Sequence, residues 1–241
     1  MVTGLIADGL QMHYAGQSVV HDVSIAVGRG EIVGLFGPSG SGKSTIFNMI
    51  IGACRPSGGR ISLDGKDIGA LPIDARARLG LGYVPQNPQL FRRLTVAQNL
   101  SIAVEANEAD PDRRTAFVRA LCKAFDLEGL SSTCISGLSG GERKRCEIAF
   151  ALGSRPRILL LDEPLAGLDP LVSQEILRIL ARFAAVGMGI LLTDHKIRDA
   201  MAAVHRSYVV NRGAVIAEGS AQAIIESETV RVSFLGADFR L

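Results

Sequence analysis

Net charge is almost absent from this sequence of 241 residues, in which 26 Lys and Arg residues face 24 Asp and Glu residues. Because the two signs are interspersed, the formal charge of +2 argues against a surface built to bind a polyanion, and we expect no nucleic-acid partner. Cysteine is scarce as well, with four residues at positions 54, 122, 134 and 146 and no Cys-x-x-Cys pair. This spacing encodes neither a disulfide framework nor a zinc site, so a reducing, cytoplasmic compartment fits best.

Apolar runs long enough to cross a bilayer are also lacking. The uncharged stretch from Phe183 to Thr193 is well short of the ~20 residues that a spanning helix needs. The residues from Met1 to Leu5 contain no basic stretch followed by an apolar run, so we expect no secretory signal. Any work at a membrane is therefore expected to be done through a partner.

Short apolar runs alternate with helical patterns along much of the chain. Residues 32–36, 158–161 and 189–192 are continuous apolar runs, which is typical of strands covered on both faces. Residues 44–51 indicate a helix, and apolar residues between Val172 and Phe183 recur on one helical face. This alternation predicts an α/β fold with a parallel-sheet core.

Two regions depart from the alternation. The first ~30 residues and the stretch around 60–65 alternate polar and apolar positions with Gly turns, as antiparallel strands do. Between Gln86 and Leu138 the sequence is rich in Ala, Leu and Arg and has a helical pattern. We therefore predict a single domain over residues 1–241, with an N-terminal antiparallel β subdomain, a helical insertion at about 87–137 and a C-terminal extension at about 219–241.

A phosphate-binding pattern follows the first buried strand. The residues that match G-x-x-x-x-G-K-[ST] are Gly37, Pro38, Ser39, Gly40, Ser41, Gly42, Lys43 and Ser44, followed directly by Thr45. Glycines let the backbone curl so that amides point at phosphate oxygens, and the start of the next helix adds partial positive charge. Lys43 is expected to reach the β- and γ-phosphates and Ser44 to hold Mg²⁺. Kinases, GTPases and motor ATPases share such loops, so this pattern alone does not select a class.

Two acidic residues end the buried run at 158–161. The carboxyl edge of an open α/β sheet is where ligands bind, so Asp162 is expected beside the metal. Glu163 is expected to face a water in line with the γ-phosphate, as its general base or orienting group. The alternative is that both acids cap a helix after Pro164.

The motif that selects a class is Leu138-Ser139-Gly140-Gly141-Glu142. All five positions match the signature of the ATP-binding cassette (ABC) family, which this chain resembles. Further family markers occur in order, namely Gln86 after Tyr83-Val84-Pro85, Asp169 in Ala166-Gly167-Leu168-Asp169, and His195 after Leu192-Thr193-Asp194. The resemblance implies a phosphate-loop (RecA-like) ATPase with ATP and Mg²⁺ as its cofactors.

The resemblance also implies roles for individual residues. Tyr14 resembles the aromatic that stacks on adenine, and a half-buried strand tyrosine is the alternative. Gln86 looks like the residue that touches Mg²⁺ and the attacking water. His195 resembles the switch histidine that contacts the γ-phosphate.

In the ABC family two cassettes face head to tail. Ser139, Gly140 and Gly141 of one cassette then close on the ATP held by Lys43 of the other. A two-fold interface uses the same patch on both copies, so one competent chain supplies two competent sites. The resemblance therefore implies a homodimer that ATP brings together and hydrolysis releases.

The resemblance narrows to the ATPase subunits of bacterial lipopolysaccharide exporters. It rests on residues 75–86, 91–96, 192–195 and 234–241. It implies a peripheral protein on the cytoplasmic face of the inner membrane, bound to integral membrane subunits. Cassettes of branched-chain amino-acid importers share the short insertion and a similar tail, and cassettes with soluble partners are a third possibility.

Two apolar segments carry expectations about contacts. The segment after Gln86 is where a cassette of this family accepts a coupling helix, so Phe91 is expected as an anchor and Arg92 or Arg93 as a rim contact. The alternative places Phe91 in the core of the insertion. At the carboxyl end, we expect Phe234, Leu235 and Phe239 to dock on the core, with a role in coupling as the alternative.

Overall fold

The computed structural model describes residues 3–14, 16–87 and 89–236. The strands are β1 (Gly4–Tyr14), β2 (Gln17–Gly28), β3 (Ile32–Phe36), β4 (Gly58–Leu63), β5 (Lys66–Asp67), β6 (Leu81–Val84), β7 (Ile158–Asp162), β8 (Gly189–Thr193), β9 (Arg206–Asn211) and β10 (Ala214–Gly219). The helices are α1 (Lys43–Ile51), α2 (Ile73–Arg78), α3 (Val96–Glu105), α4 (Pro111–Ala124), α5 (Gly140–Leu152), α6 (Pro170–Ala185), α7 (Ile197–Ala203), α8 (Ala221–Glu226) and α9 (Glu228–Val230). The predicted alternation of strands and helices is confirmed.

The strands form two sheets. Four antiparallel strands in the order β2-β1-β4-β5 make the N-terminal subdomain. Six strands in the order β10-β9-β3-β8-β7-β6 make the second sheet, which is parallel except for β10. The carboxyl ends of β3, β8, β7 and β6 are therefore neighbours at one edge, and the segments that leave these four strands meet there.

Alternate residues of the parallel strands face two separate cores. In β3, Val33 and Leu35 pack with the antiparallel sheet and α1. Ile32 and Phe36 of the same strand pack with the helical insertion and α6. All four are almost fully buried, which accounts for the continuous apolar run in the sequence.

Polar residues define where the longer helices begin. Thr95 starts α3 and Ser139 starts α5, each with a capping box completed by Gln98 or Glu142. Asp110 and Asp169 cap α4 and α6, and each is followed by proline at the first helical position. The insertion thus consists of α3 and α4, between β6 and the signature helix α5.

A buried arginine anchors the C-terminal end of α1. Arg76 is 1% exposed, and its guanidinium donates to the carbonyls of Met49 and Ile50 at 2.6 Å each. It also donates to the carbonyls of Leu71 and Gly69, at 2.9 and 3.0 Å. Because the last carbonyls of a helix have no partner within it, this contact satisfies groups that α1 would otherwise leave unpaired.

The end of the described chain packs on the helical core. Phe234 and Leu235 are partly buried against it, as the sequence predicts. Phe239, the third residue of that prediction, lies outside the described residues. Across the described ranges, no helix combines the length and apolar character required to span a bilayer.

Candidate nucleotide site

The phosphate loop connects β3 to α1 with glycines at its tightest positions. Gly37 has φ +147°, and a Cβ there would lie 2.0 Å from the carbonyl oxygen of Val210. Gly42 has φ +106° and is the N-cap of α1. Ser39, Gly40 and Ser44 are exposed, so the loop and the first turn of α1 are open to a ligand. The backbone therefore has the curled form that a phosphate requires.

Lys43 folds back over this loop. Its Nζ donates to the carbonyl oxygens of Gly37 and Pro38, at 2.8 and 2.9 Å. Burial lowers the pKa of Lys43, although the carboxylates of Glu163 and Asp162 oppose that shift. A bound phosphate supplies negative charge for this ammonium in place of the two neutral carbonyls.

Glu163 lies between the two polar side chains that the sequence assigned to the same site. Its Oε2 accepts from Nε2 of Gln86 at 2.8 Å, and its Oε1 lies 2.7 Å from Nε2 of His195. The Glu163 side chain is 16% exposed, whereas that of His195 is 55% exposed. The structure therefore brings together residues from the carboxyl ends of β6, β7 and β8.

The backbone at Glu163 is in a conformation that few residues other than glycine adopt. Its φ is +52°, in the left-handed region, and its N–H donates to the Thr193 carbonyl at 3.0 Å. The Thr193 hydroxyl donates to Oδ1 of Asp162 at 2.7 Å. These contacts from β8 hold both acids at the end of β7, and no helix follows Pro164 directly, since α6 begins at Pro170. Uncommon backbone conformations of this kind concentrate at functional sites.

A partly buried tyrosine on β6, Tyr83, is close enough to Asp162 to feel its charge. Burial, together with the charge of Asp162, raises the pKa of Tyr83 to about 12. Tyr83 therefore remains neutral in the physiological range and adds no negative charge next to Asp162.

The signature residues lie at the exposed start of α5. Ser139 accepts from the Glu142 N–H at 3.4 Å, and its own N–H donates to Glu142 at 2.8 Å. Hydrogen bonds from the Ser139 N–H and the Ser139 hydroxyl to the Glu142 carboxylate lower the pKa of Glu142, so this carboxylate stays ionised. Ser139 and Gly140 are exposed and Gly141 is half-buried.

Asp169 lies at the start of α6, next to the signature helix. Its Oδ1 accepts from the Val172 N–H at 3.0 Å, so the carboxylate caps α6. A Cβ on Gly141 would lie 2.9 Å from Cγ1 of the same Val172, which places the starts of α5 and α6 side by side. The signature residues and Asp169 therefore lie side by side, and their hydrogen bonds cap the starts of α5 and α6.

Tyr14 is at the end of β1 and is 49% exposed. A hydrogen bond with the Cys54 thiol is the main reason that the pKa of Tyr14 is raised. The ring is therefore on the surface, where a planar ligand has access to it.

Phe91 is presented outward by a buried asparagine that the motif analysis missed. Asn99 is fully buried on α3, accepts from the Phe91 N–H at 2.8 Å and donates to its carbonyl at 3.2 Å. The Phe91 side chain is 49% exposed, so it is not part of the insertion core. On the buried face of α3, Asn99 is the one polar residue beside Val96, Leu100 and Val104, and this was the available signal in the sequence.

An apolar cleft lies beside this segment, between the insertion and the sheet. Its volume is about 260 Å³, and its lining includes Ile73, Tyr83, Gln89, Ala103 and Phe150. Ile73 is 51% exposed, so the rim of the cleft is apolar as well. Arg92 and Arg93 are exposed next to Phe91.

Comparison with known proteins places these features in a family. The family model described as "ABC transporter" matches residues 20–166. A probable ABC transporter ATP-binding protein of Azorhizobium caulinodans is 44% identical over 237 residues, which are 98% of this chain and 84% of the relative. The lipopolysaccharide export system ATP-binding protein LptB of Escherichia coli K12 is 43% identical over 238 residues, covering 98% of this chain and 99% of the relative.

The fold agrees with the sequence relatives. The solved structure of an ATP-binding cassette of an ABC transporter, in its ADP conformation, superposes with a TM-score of 0.88. It is 26% identical, and the match covers 98% of this chain and 100% of the other.

Proposed function

Since the chain belongs to the ABC transporter family and is an ATP-hydrolysing transporter subunit, we propose that it powers the export of lipopolysaccharide from the inner membrane. The observation that carries this proposal is the 43% identity, over nearly the whole of both chains, to a protein named for lipopolysaccharide export. The apolar cleft and the outward Phe91 supply a surface for a membrane subunit. The chain then works at the cytoplasmic face, bound to integral membrane partners.

The proposed hydrolytic step uses the contacts of Glu163. Its carboxylate accepts a proton from the attacking water or orients that water toward the γ-phosphate. Gln86 and His195 hold the two oxygens of this carboxylate, at 2.8 and 2.7 Å, and so fix its direction. Lys43 releases the carbonyls of Gly37 and Pro38 and binds phosphate oxygens. Tyr14 offers its exposed ring to the adenine.

The residues at this edge fit a Mg²⁺ ion. Ser44 offers a hydroxyl, Asp162 a carboxylate and Gln86 its amide oxygen, and oxygen atoms are the ligands that Mg²⁺ prefers. The amide nitrogen of Gln86 is already engaged by Glu163, which leaves the amide oxygen as its remaining ligand atom. When bound, the ion neutralises charge on the β- and γ-phosphates.

The proposed assembly is a homodimer with two active sites. Ser139, Gly140 and Gly141, together with Asp169, form an exposed patch at the starts of α5 and α6. In the dimer this patch closes on the nucleotide held by the partner cassette. The exposed Leu171, which is 76% accessible in the first turn of α6, supplies apolar surface to such an interface.

The proposal is tested by identifying the partner. Membranes of cells expressing a tagged Glu163→Gln chain are solubilised with ATP present, and the bound proteins are identified by mass spectrometry. Integral subunits of a lipopolysaccharide exporter are expected, and the additional substitution Phe91→Ala should release them without loss of ATP binding. Permease subunits of an amino-acid importer would contradict export while leaving the ATPase intact. Capture of soluble proteins alone would contradict any transporter role.

A further inference from the structure

Three consecutive residues after β8 hold successive points of the segment that follows β7. His195 contacts the Glu163 carboxylate at 2.7 Å, and Oδ2 of Asp194 accepts from the Leu165 N–H at 2.8 Å. The Lys196 ammonium donates to the carbonyl of Leu168. We call residues 163–169 the acidic-end loop, because it starts at Glu163 and ends at Asp169.

Asp194 fixes the near part of the acidic-end loop. It is 4% exposed, and its second oxygen, Oδ1, accepts from the Lys196 N–H at 2.8 Å. One buried carboxylate therefore joins the backbone beyond Glu163 to the backbone beyond His195. A charge-assisted hydrogen bond in a buried setting is among the stronger polar contacts of a protein.

Lys196 fixes the far part of the same loop. Besides the Leu168 carbonyl, its Nζ contacts Oγ of Ser173 at 3.2 Å. Ser173 is fully buried, and its hydroxyl donates to the Asp169 carbonyl at 2.9 Å. The ammonium thus joins the end of the acidic-end loop to the first turn of α6, where Asp169 is the N-cap.

We propose that Lys196 is a positioning residue that makes the acidic-end loop and the His195 segment one unit, so that Glu163 and Asp169 are placed together. This inference rests on the proposed roles of Glu163 and Asp169 in hydrolysis and in the dimer. Lys196 itself touches neither the carboxylate of Glu163 nor the phosphate loop in the contacts described above. It acts through the Leu168 carbonyl and through the Ser173 hydroxyl, which in turn donates to the Asp169 carbonyl.

The test replaces Lys196 with methionine, which keeps most of the length of the side chain and removes its charged hydrogen-bond donor. Turnover of ATP by Lys196→Met is expected to fall on the order of tenfold in kcat, because loss of positioning acts on the transition state. The KM for ATP and the affinity for a fluorescent ATP analogue should be unchanged, since the phosphate loop is untouched. Lys196→Arg, which retains a cationic donor, should restore most of the loss.

Lys123→Met is the matched control, because Lys123 is exposed on α4 and distant in sequence from both segments. It should behave as the unsubstituted chain does. Wild-type kcat in Lys196→Met would overturn the inference. A parallel loss of nucleotide affinity and melting temperature would also overturn it, because that pattern indicates a general structural role.

A double-mutant cycle tests the link to Asp169. If Lys196 and Asp169 act as one unit, Lys196→Met with Asp169→Ala should be no slower than the slower single variant. Multiplicative losses in kcat would contradict the link. Glu163→Gln separates this inference from the proposed function: normal turnover in that variant refutes the site itself, whereas normal turnover in Lys196→Met alone refutes only the positioning role.

Discussion

The Nε2 atom of His195 lies 2.7 Å from Oε1 of Glu163, although the two residues follow different strands and are far apart in the sequence. The contact exists because β7 and β8 are parallel neighbours that end at the same edge. His195 is more than half exposed, whereas Glu163 is mostly buried. We therefore expect a nucleotide that contacts His195 to change the orientation of the Glu163 carboxylate.

His195→Ala should lower kcat for ATP hydrolysis about 100-fold, within the range found for groups that act on proton transfer or its geometry. The KM for ATP should change little, because the phosphate loop and Lys43 retain their contacts. Steady-state phosphate release at several ATP concentrations measures both constants. Equal kcat for the variant and the parent would show that the contact between His195 and Glu163 does not contribute to hydrolysis.

Lys43→Met should remove ATP binding rather than only turnover. The ammonium is the buried cation of the phosphate loop, and an uncharged side chain offers nothing to the β- and γ-phosphates. Titration with a fluorescent ATP analogue should show an affinity reduced by at least about 100-fold, which corresponds to loss of charged phosphate contacts. Lys66→Met, at an exposed position on β5, is the control and should bind as the parent does.

Arg76→Met should destabilise the fold by about 3 kcal/mol, since it leaves four carbonyl groups without a donor in a buried site. Urea denaturation followed by circular dichroism gives the free energy of unfolding. Arg78→Met is matched, because Arg78 is on the same helix with 71% of its side chain exposed. An equal decrease in the free energy of unfolding in both variants would refute the anchoring role of Arg76.

Asp64 should make stability depend on pH. Burial opposes ionisation, yet the Arg29 and Arg157 guanidinium groups, at 2.6 and 3.2 Å, and the Gly4 N–H hold the pKa of Asp64 below its usual value. A pKa that is lower in the folded chain stabilises it fully above the unfolded-state pKa, and this stability is lost as the pH falls through the folded-state pKa.

The comparison variant is Asp64→Asn, because asparagine tolerates the left-handed φ of +49° at this turn. Its melting temperature should be below that of the parent at pH 7, and the difference should shrink as the pH is lowered through the range in which Asp64 titrates. A difference that is constant with pH would show that the ion pairs carry no such linkage.

Much of the site follows from local sequence. The phosphate loop needs only its own glycines and Lys43, and the acids at 162–163 follow directly from a buried strand, so both are legible without tertiary structure. Capping residues such as Ser139 and Asp169 likewise predict where helices start, because they bond to residues only three positions further along the chain. The family resemblance added Gln86 and His195, whose distance from Glu163 depends on strand order.

The parts that sequence reasoning missed depend on contacts between distant segments. In the sequence, Asp194 is an ordinary polar residue, and only the fold brings the Leu165 N–H to its carboxylate. Lys196 likewise resembles a surface lysine, and only the fold brings the Leu168 carbonyl to its ammonium. Arg76 entered the sequence analysis only within residues 75–86, as part of the family resemblance. No periodicity predicts that a helix end will meet its guanidinium. Tertiary packing thus determines the contacts of Asp194, Lys196 and Arg76, whereas local sequence was enough to predict the phosphate loop and the two acids.

Hydrolysis by Glu163→Gln is the most direct measurement of the central claim, that the carboxylate between Gln86 and His195 drives ATP turnover. The isosteric amide keeps the size of the side chain and removes its charge. Single-turnover and steady-state phosphate release, measured beside binding of a fluorescent ATP analogue, should show affinity within about threefold of the parent and kcat reduced at least about 100-fold. Turnover at the parental rate with intact binding would contradict the account.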